Sequence, residues 1–257
     1  MRRKFRSSAA LFFASAAILA AAAAPATAQS SSSPVKRDPT LEIACGAQST
    51  LQRPTPTVRI LGGQERGKTL FTAGEAVILT GGTAQGLKAG QEYFVRRLVA
   101  DRFVAPISDN QQPLSIHTAG WIKIVDVQQT SAIATVTHAC DGMMEGDYLE
   151  PFAMPTLPAA GPPTGEPDYA SAGRVILADE RRQMGGPGSL MVVDRGTDHG
   201  LRAGQWMTIY RETRGPGGPI FRIGDAQVIT VGSETSLVKV TAANDAVYVG
   251  DRIAINR

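Results

Sequence analysis

The chain has 257 residues, 43% hydrophobic, 19% charged and 6% aromatic, with 27 glycines and 16 prolines. That is a globular composition rich in turns, and it excludes collagen, coiled coil and wholesale disorder. The net charge is +3, but four of the 26 Lys+Arg lie at Arg2, Arg3, Lys4 and Arg6, so without that leader 22 basic residues face 23 acids. Nucleic-acid binding needs a basic surface to neutralise phosphates, and none is left, so no nucleic acid is expected as a partner.

In chain order, the N-terminus reads as an export signal over 1–28. The four basic residues precede an uncharged Ala9–Ala24 run, and Ala26-Thr27-Ala28 is a small-x-small cleavage site before Gln29. Arg2-Arg3-Lys4-Phe5 also partly fits the twin-arginine pattern, so both export routes stay open. No later apolar run approaches the roughly 18 residues of a spanning helix, so no integral membrane segment is expected after cleavage, and the location is expected to be periplasmic or secreted. Gln29–Thr40 is Ser-rich without apolar pattern and is expected to be a disordered lead-in.

The two cysteines are Cys45 and Cys140. In an exported chain an even pair reads as a disulfide. The alternative is a metal site of Cys45, His138 and Cys140, since His-x-Cys on a strand puts both side chains on one face. The spacing fits no usual zinc pattern and lacks a clear fourth ligand, so neither metal nor cofactor is expected.

The chain contains a long internal similarity. Gly74 to Gln91 (GEAVILTGGTAQGLKAGQ) and Gly188 to Gln205 (GSLMVVDRGTDHGLRAGQ) share eight of 18 positions at an offset of 114. Gly120 to Glu150 aligns with Gly224 to Ala254 at an offset of 104, so the first copy carries ten extra residues around Leu98 to Ala119. A period this long is one domain, not a solenoid repeat. Two homologous modules are expected at 41–150 and 174–257. Pro151 to Gly173, with six prolines in 23 residues, is expected to be a semi-stiff linker.

Each module reads as β structure. Expected strands in the first are Ala76–Leu79, Tyr93–Arg97, Trp121–Val127, Ala132–Thr137 and Tyr148–Pro151; in the second, Leu190–Val193, Trp206–Tyr210, Ala226–Val231, Ser236–Thr241 and Tyr248–Ile255. They are short, rich in β-branched residues and bounded by turn formers. Such strands must hide their edges, so the expected fold is all-β, two tandem antiparallel barrels or sandwiches. In the repeated Gly-Thr-x-x-Gly-Leu-x-Ala-Gly-Gln, the glycines Gly82, Gly86, Gly90, Gly196, Gly200 and Gly204 supply special backbone conformations or close approach. Leu87 and Leu201 plug the turn into the core.

Asp194-Arg195-Gly196 through Gly204-Gln205, Thr208 to Arg211, Ile223 to Ala226 and the closing Val249 to Ile253 resemble a recurring exported β-module, the C-terminal domain of flagellar assembly protein T. A looser likeness is to the β domains of the rod-shape-determining protein C family. The resemblance implies a non-catalytic envelope module that supports assembly or binding, with an envelope protein or cell-wall polymer as partner.

Two other function classes are weighed. Gly62-Gly63-Gln64-Glu65-Arg66-Gly67-Lys68-Thr69 fits the G-x-x-x-x-G-K-[ST] phosphate loop after an apolar Val58–Leu61 run. A phosphate loop must open onto a helix N-terminus, whereas Leu70–Leu79 reads as strand. Gly62, Gly67, Lys68 and Thr69 thus stand as the alternative nucleotide site. An exported hydrolase has weaker support. Ser189 lacks a nucleophile-elbow glycine, Asp198 and His199 are adjacent in sequence, and Asp147 and Asp251 sit where turn-capping carboxylates belong. No catalytic residue is assigned.

Overall fold

The structure, a computed structural model, describes residues 38–108, 111–159 and 161–257. The expected export signal over 1–28 and most of the lead-in over 29–40 lie outside the described residues. The end of the lead-in is ordered: Asp38 caps a helix α1, Pro39–Cys45, its Oδ1 accepting the Thr40 N–H at 2.9 Å. Pro39 suits that first helical position because its missing N–H would be unpaired there.

Strands account for 48% of the described residues, with one α-helix among them, so the fold is all-β. In the first half they are β1 Gln48–Thr50, β2 Ile60–Gly63, β3 Leu70–Phe71, β4 Ala76–Leu79, β5 Glu92–Val99, β6 Leu114–Val127, β7 Ala132–Ala139, β8 Met143–Met144 and β9 Tyr148–Pro151. Six of them run β2-β4-β7-β6-β5-β9, with β1 added to β6 and β3 paired to β8 as a small separate sheet. An Arg59–Tyr148 bridge and an Ile60 N–H to Asp147 oxygen bond of 2.8 Å bring the first strand to the last.

The second half holds β10 Pro167–Ala178, β11 Met184–Gly185, β12 Leu190–Val193, β13 Trp206–Glu212, β14 Ile220–Val231, β15 Ser236–Ala243, β16 Val247–Tyr248 and β17 Arg252–Asn256. Here β10-β12-β15-β14-β13-β17 form a closed barrel, with β11 paired to β16. The strand order matches the first half place for place. So do the joins: Val175 N–H donates to the Asp251 oxygen at 2.8 Å, as Ile60 does to Asp147.

The expected strands are all present, some longer and one divided: Tyr248 belongs to β16, and β17 begins at Arg252. The expected linker is corrected at both ends. Phe152 packs on Phe94 and Trp121, with ring centroids 4.7 and 5.5 Å apart. Pro167 to Gly173 is already β10, paired to β17. Barrel closure supplies the partner strand that a Pro-rich composition does not announce.

Alternation sets the two interiors. Val77 and Leu79 of β4 point into the first core, where Ile60, Val95, Ile122 and Val136 meet them. Met191 and Val193 of β12 point into the second. The outer side of β12 is covered too. Leu190 and Val192 join Ile176, Leu177, Ile229 and Leu237 in a cluster with Ile43 of α1 and Val104. Val104 lies on the β5–β6 connection, which carries the ten extra residues of the first half. A bulge at Val175–Leu177 turns both Ile176 and Leu177 outward into this seam. Ala105 N–H donates to the Ile176 oxygen at 2.8 Å and Thr235 Oγ1 to the Ser49 oxygen at 3.3 Å. The extra chain therefore docks one barrel on the other.

Candidate functional site

The repeated turns are built alike. In the first, Leu87 N–H donates to the Gly82 oxygen at 3.2 Å and Gly90 N–H to the Ile124 oxygen at 2.8 Å. In the second, Leu201 N–H reaches Gly196 at 3.1 Å and Gly204 N–H reaches Val228 at 2.8 Å. Leu87 and Leu201 are both buried in their barrels. Gly82 and Gly196 allow close approach: a Cβ at either would overlap the carbonyl oxygen of Gln128 or of Ser233. Gly86 and Gly200 adopt φ of 81° and 77°, a left-handed conformation that costs other residues about 1–2 kcal/mol. Gln85 Oε1 accepts the Gly82 N–H at 2.9 Å, and in the second copy His199 Nδ1 accepts the Gly196 N–H at 3.3 Å. His199 thus has a turn-closing bond of its own, separate from Asp198.

Asp147 and Asp251 do more than cap turns. Each accepts a backbone N–H at 2.8 Å, from Met144 and from Tyr248. Each also receives a two-pronged guanidinium. Arg97 donates Nε and Nη2 to Asp147 at 2.6 and 2.7 Å, and Arg211 donates to Asp251 at 2.8 and 2.9 Å. The same arginines bond the Gly142 and Ala246 carbonyls. The hydrogen bond to its carboxylate holds each guanidinium above the usual arginine range. These forks join β5 to the turn before β9, and β13 to the turn before β17. Sequence reading missed them. The signal was available, since Arg97 and Arg211 recur at the offset of 114 and the aspartates at 104.

The phosphate-loop alternative is set aside by geometry. Gly62 and Gly63 end β2, Gly67 sits in the turn with φ 81°, and Thr69 leads into β3 and then β4. No helix N-terminus opens at Thr69, where a phosphate loop needs one; Gly62 and Gly63 instead pair with Ile78 and Val77 of β4. Lys68 is ion-paired to Glu75, which draws the Glu75 carboxyl below its usual range, helped by the Thr72 N–H. Ser189 Oγ accepts the Gly186 N–H at 3.0 Å, a turn contact.

Cys45 and Cys140 are joined in a disulfide that ties the end of α1 to the residue after β7. His138 lies beside them, its ring stacked on Trp121 at 4.3 Å. Ala44, Phe94 and Trp121 pack around the clamp. Next to it, Arg96 is buried and bonds Glu150 at 3.2 Å; burial lowers its guanidinium below the usual range.

The outer surface offers apolar groups at matching places. Leu70 faces Met144 across the β3–β8 sheet, and Met184 faces Tyr248 across β11–β16. These four side chains are 51%, 38%, 51% and 38% exposed. Ile220 and Phe221, at the start of β14, are exposed as well. A concavity of about 690 Å³ lies at the seam, between the β5–β6 connection and Arg181; Arg102, Phe103 and Pro113 line it. Among the described residues no helix is long and apolar enough to cross a membrane.

No family model matches the chain, and no curated protein matches it.

Proposed function

We propose that the protein is a non-catalytic binding or scaffold component of the cell envelope, exported and then held together by its disulfide. It carries two copies of one β-module, joined through the lengthened β5–β6 connection of the first. The observation that carries this reading is the paired apolar display. Leu70 with Met144 and Met184 with Tyr248 are cross-strand neighbours at the same place in each barrel, and all four are exposed. Large apolar side chains grouped on a surface mark contacts with another molecule. The half-buried ion pairs, in contrast, serve the fold: the guanidinium forks hold turns in both halves. The likeness of the second module's turns to the C-terminal domain of flagellar assembly protein T favours the same class of function. The partner is an envelope protein or a cell-wall polymer.

The test is capture from envelope fractions together with co-sedimentation on peptidoglycan. Leu70→Ser with Met144→Ser, or Met184→Ser with Tyr248→Ser, should reduce capture at least fivefold while the thermal midpoint stays near that of the parent. Capture untouched by both double variants defeats the surface assignment. Turnover of a substrate by a protein that binds no envelope component defeats the reading itself.

A further inference from the structure

The clamp contains one group more than a disulfide needs. Cys45 Sγ, Cys140 Sγ and an imidazole nitrogen of His138 all lie within 4.8 Å of one another. All three residues are half-buried. Trp121 holds the plane of the imidazole by stacking on it. The second barrel shows what the same backbone looks like without this chemistry. Asn244 N–H donates to the Ile223 oxygen at 2.7 Å, as Cys140 N–H donates to Ala119 at 3.0 Å. At the offset of 104, Asn244 stands for Cys140 and Ala242 for His138. The three donors are thus an addition to a fold that closes without them.

We propose that Cys45, Cys140 and His138 form, when the disulfide is reduced, a three-donor site for a soft monovalent cation, Cu(I). The metal then takes over the task of pinning α1 to the first barrel. A dithiol supplies the reduction: it passes two electrons and two protons to the S–S bond, leaving two thiols here and its own disulfide. Cu(I) displaces both thiol protons and forms two sulfur bonds, and the imidazole supplies the third. Two thiolates with one imidazole are donors that soft ions prefer. Structural zinc calls for four protein ligands in a closed tetrahedral site, and among the described residues this cluster has three. Disulfide and metal exclude each other, because the same sulfur atoms make both.

The full exported chain is reduced anaerobically and titrated with Cu(I) against a chromophoric Cu(I) chelator, with tryptophan fluorescence followed in parallel. Trp121 is in contact with the imidazole, whereas Trp206 belongs to the other barrel and serves as internal background. Reduced protein should bind one equivalent, change the Trp121 emission and recover at least half of the thermal midpoint lost on reduction. His138→Gln keeps both cysteines, so it can be purified folded in the oxidised form before reduction; it should bind at least tenfold more weakly. His117→Gln, which removes a histidine outside the cluster, should bind as the parent does. Equal binding by His138→Gln, equal binding by oxidised protein, no binding by reduced protein, or a preference for Zn²⁺ over Cu(I) would each overturn the proposal.

Discussion

The two barrels share strand order and turn chemistry but differ in what covers them. In β4 of the first, burial alternates: Val77 and Leu79 are enclosed and Ala76 and Ile78 are half-covered. In β12 of the second, at the matching place, all four residues are buried. The difference comes from chain that only the first half has. Its α1 and its lengthened β5–β6 connection lie on the outer faces of β10 and β12, and the disulfide holds α1 at that position. A common β framework can thus serve as donor of a clasp in one copy and as its receiver in the other.

The comparison can be broken hardest at the shared turns. Gly82→Val and Gly196→Val place a side chain on a backbone oxygen in both copies. Each should cost about 5 kcal/mol or more, the range reserved for disrupted cores, and show as loss of soluble folded protein. Gly86→Ala, where only the φ of 81° opposes a side chain and nothing lies within 4 Å, should cost about 1–2 kcal/mol by chemical denaturation.

Removing the clasp comes next. Cys45→Ser with Cys140→Ser opens a link across 95 residues, for which loop entropy gives roughly 4–5 kcal/mol. Thermal unfolding with and without reductant measures it: the parent should fall to the level of the double variant, and the variant should ignore the reductant. Hydrogen exchange should show protection lost first in α1 and the β5–β6 connection.

The forks sharpen the likeness between the copies. Asp147→Ala and Asp251→Ala each strand a guanidinium and a backbone N–H. The arginines keep a quarter to a third of their exposure, so the loss should be about 2–4 kcal/mol, below that of a wholly buried pair. Denaturant midpoints of the two variants should shift alike; a shift in one alone would show that the forks differ in weight.

The smallest effect separates the copies again, because the Lys68–Glu75 pair lies in the hairpin of the first. The pair lowers the Glu75 carboxyl from its ordinary 4.5. Its contribution is present above that value and is lost as pH falls through the lowered folded-state value. Lys68→Met should therefore slightly flatten the rise of stability as pH increases from strongly acid to pH 6. A steeper rise would contradict the assignment.

Most of the β framework was written locally. A short β-branched apolar run marks β4, and the glycines of both turns mark chain reversals, because strand preference and φ preference act over a few residues. The cysteine pair was legible because two cysteines behind an expected export signal read as a disulfide. Leu190 to Val193 was legible as a strand, but not as one covered on both faces, and Val175 to Ala178 was not legible as a strand at all.

What covers them was decided in three dimensions. Ile43 and Val104 reach the second barrel across more than seventy residues of chain, after that chain has closed on itself. Arg97 meets Asp147, and Arg211 meets Asp251, only because strand pairing brings residues 50 and 40 apart into register. The Gly62–Thr69 pattern makes the same point in reverse. Its residues match a phosphate loop, but the chain after it runs into strands β3 and β4 rather than a helix. Local preferences select strands and turns; the partner of a side chain depends on loop closure, register and which face another segment takes from water.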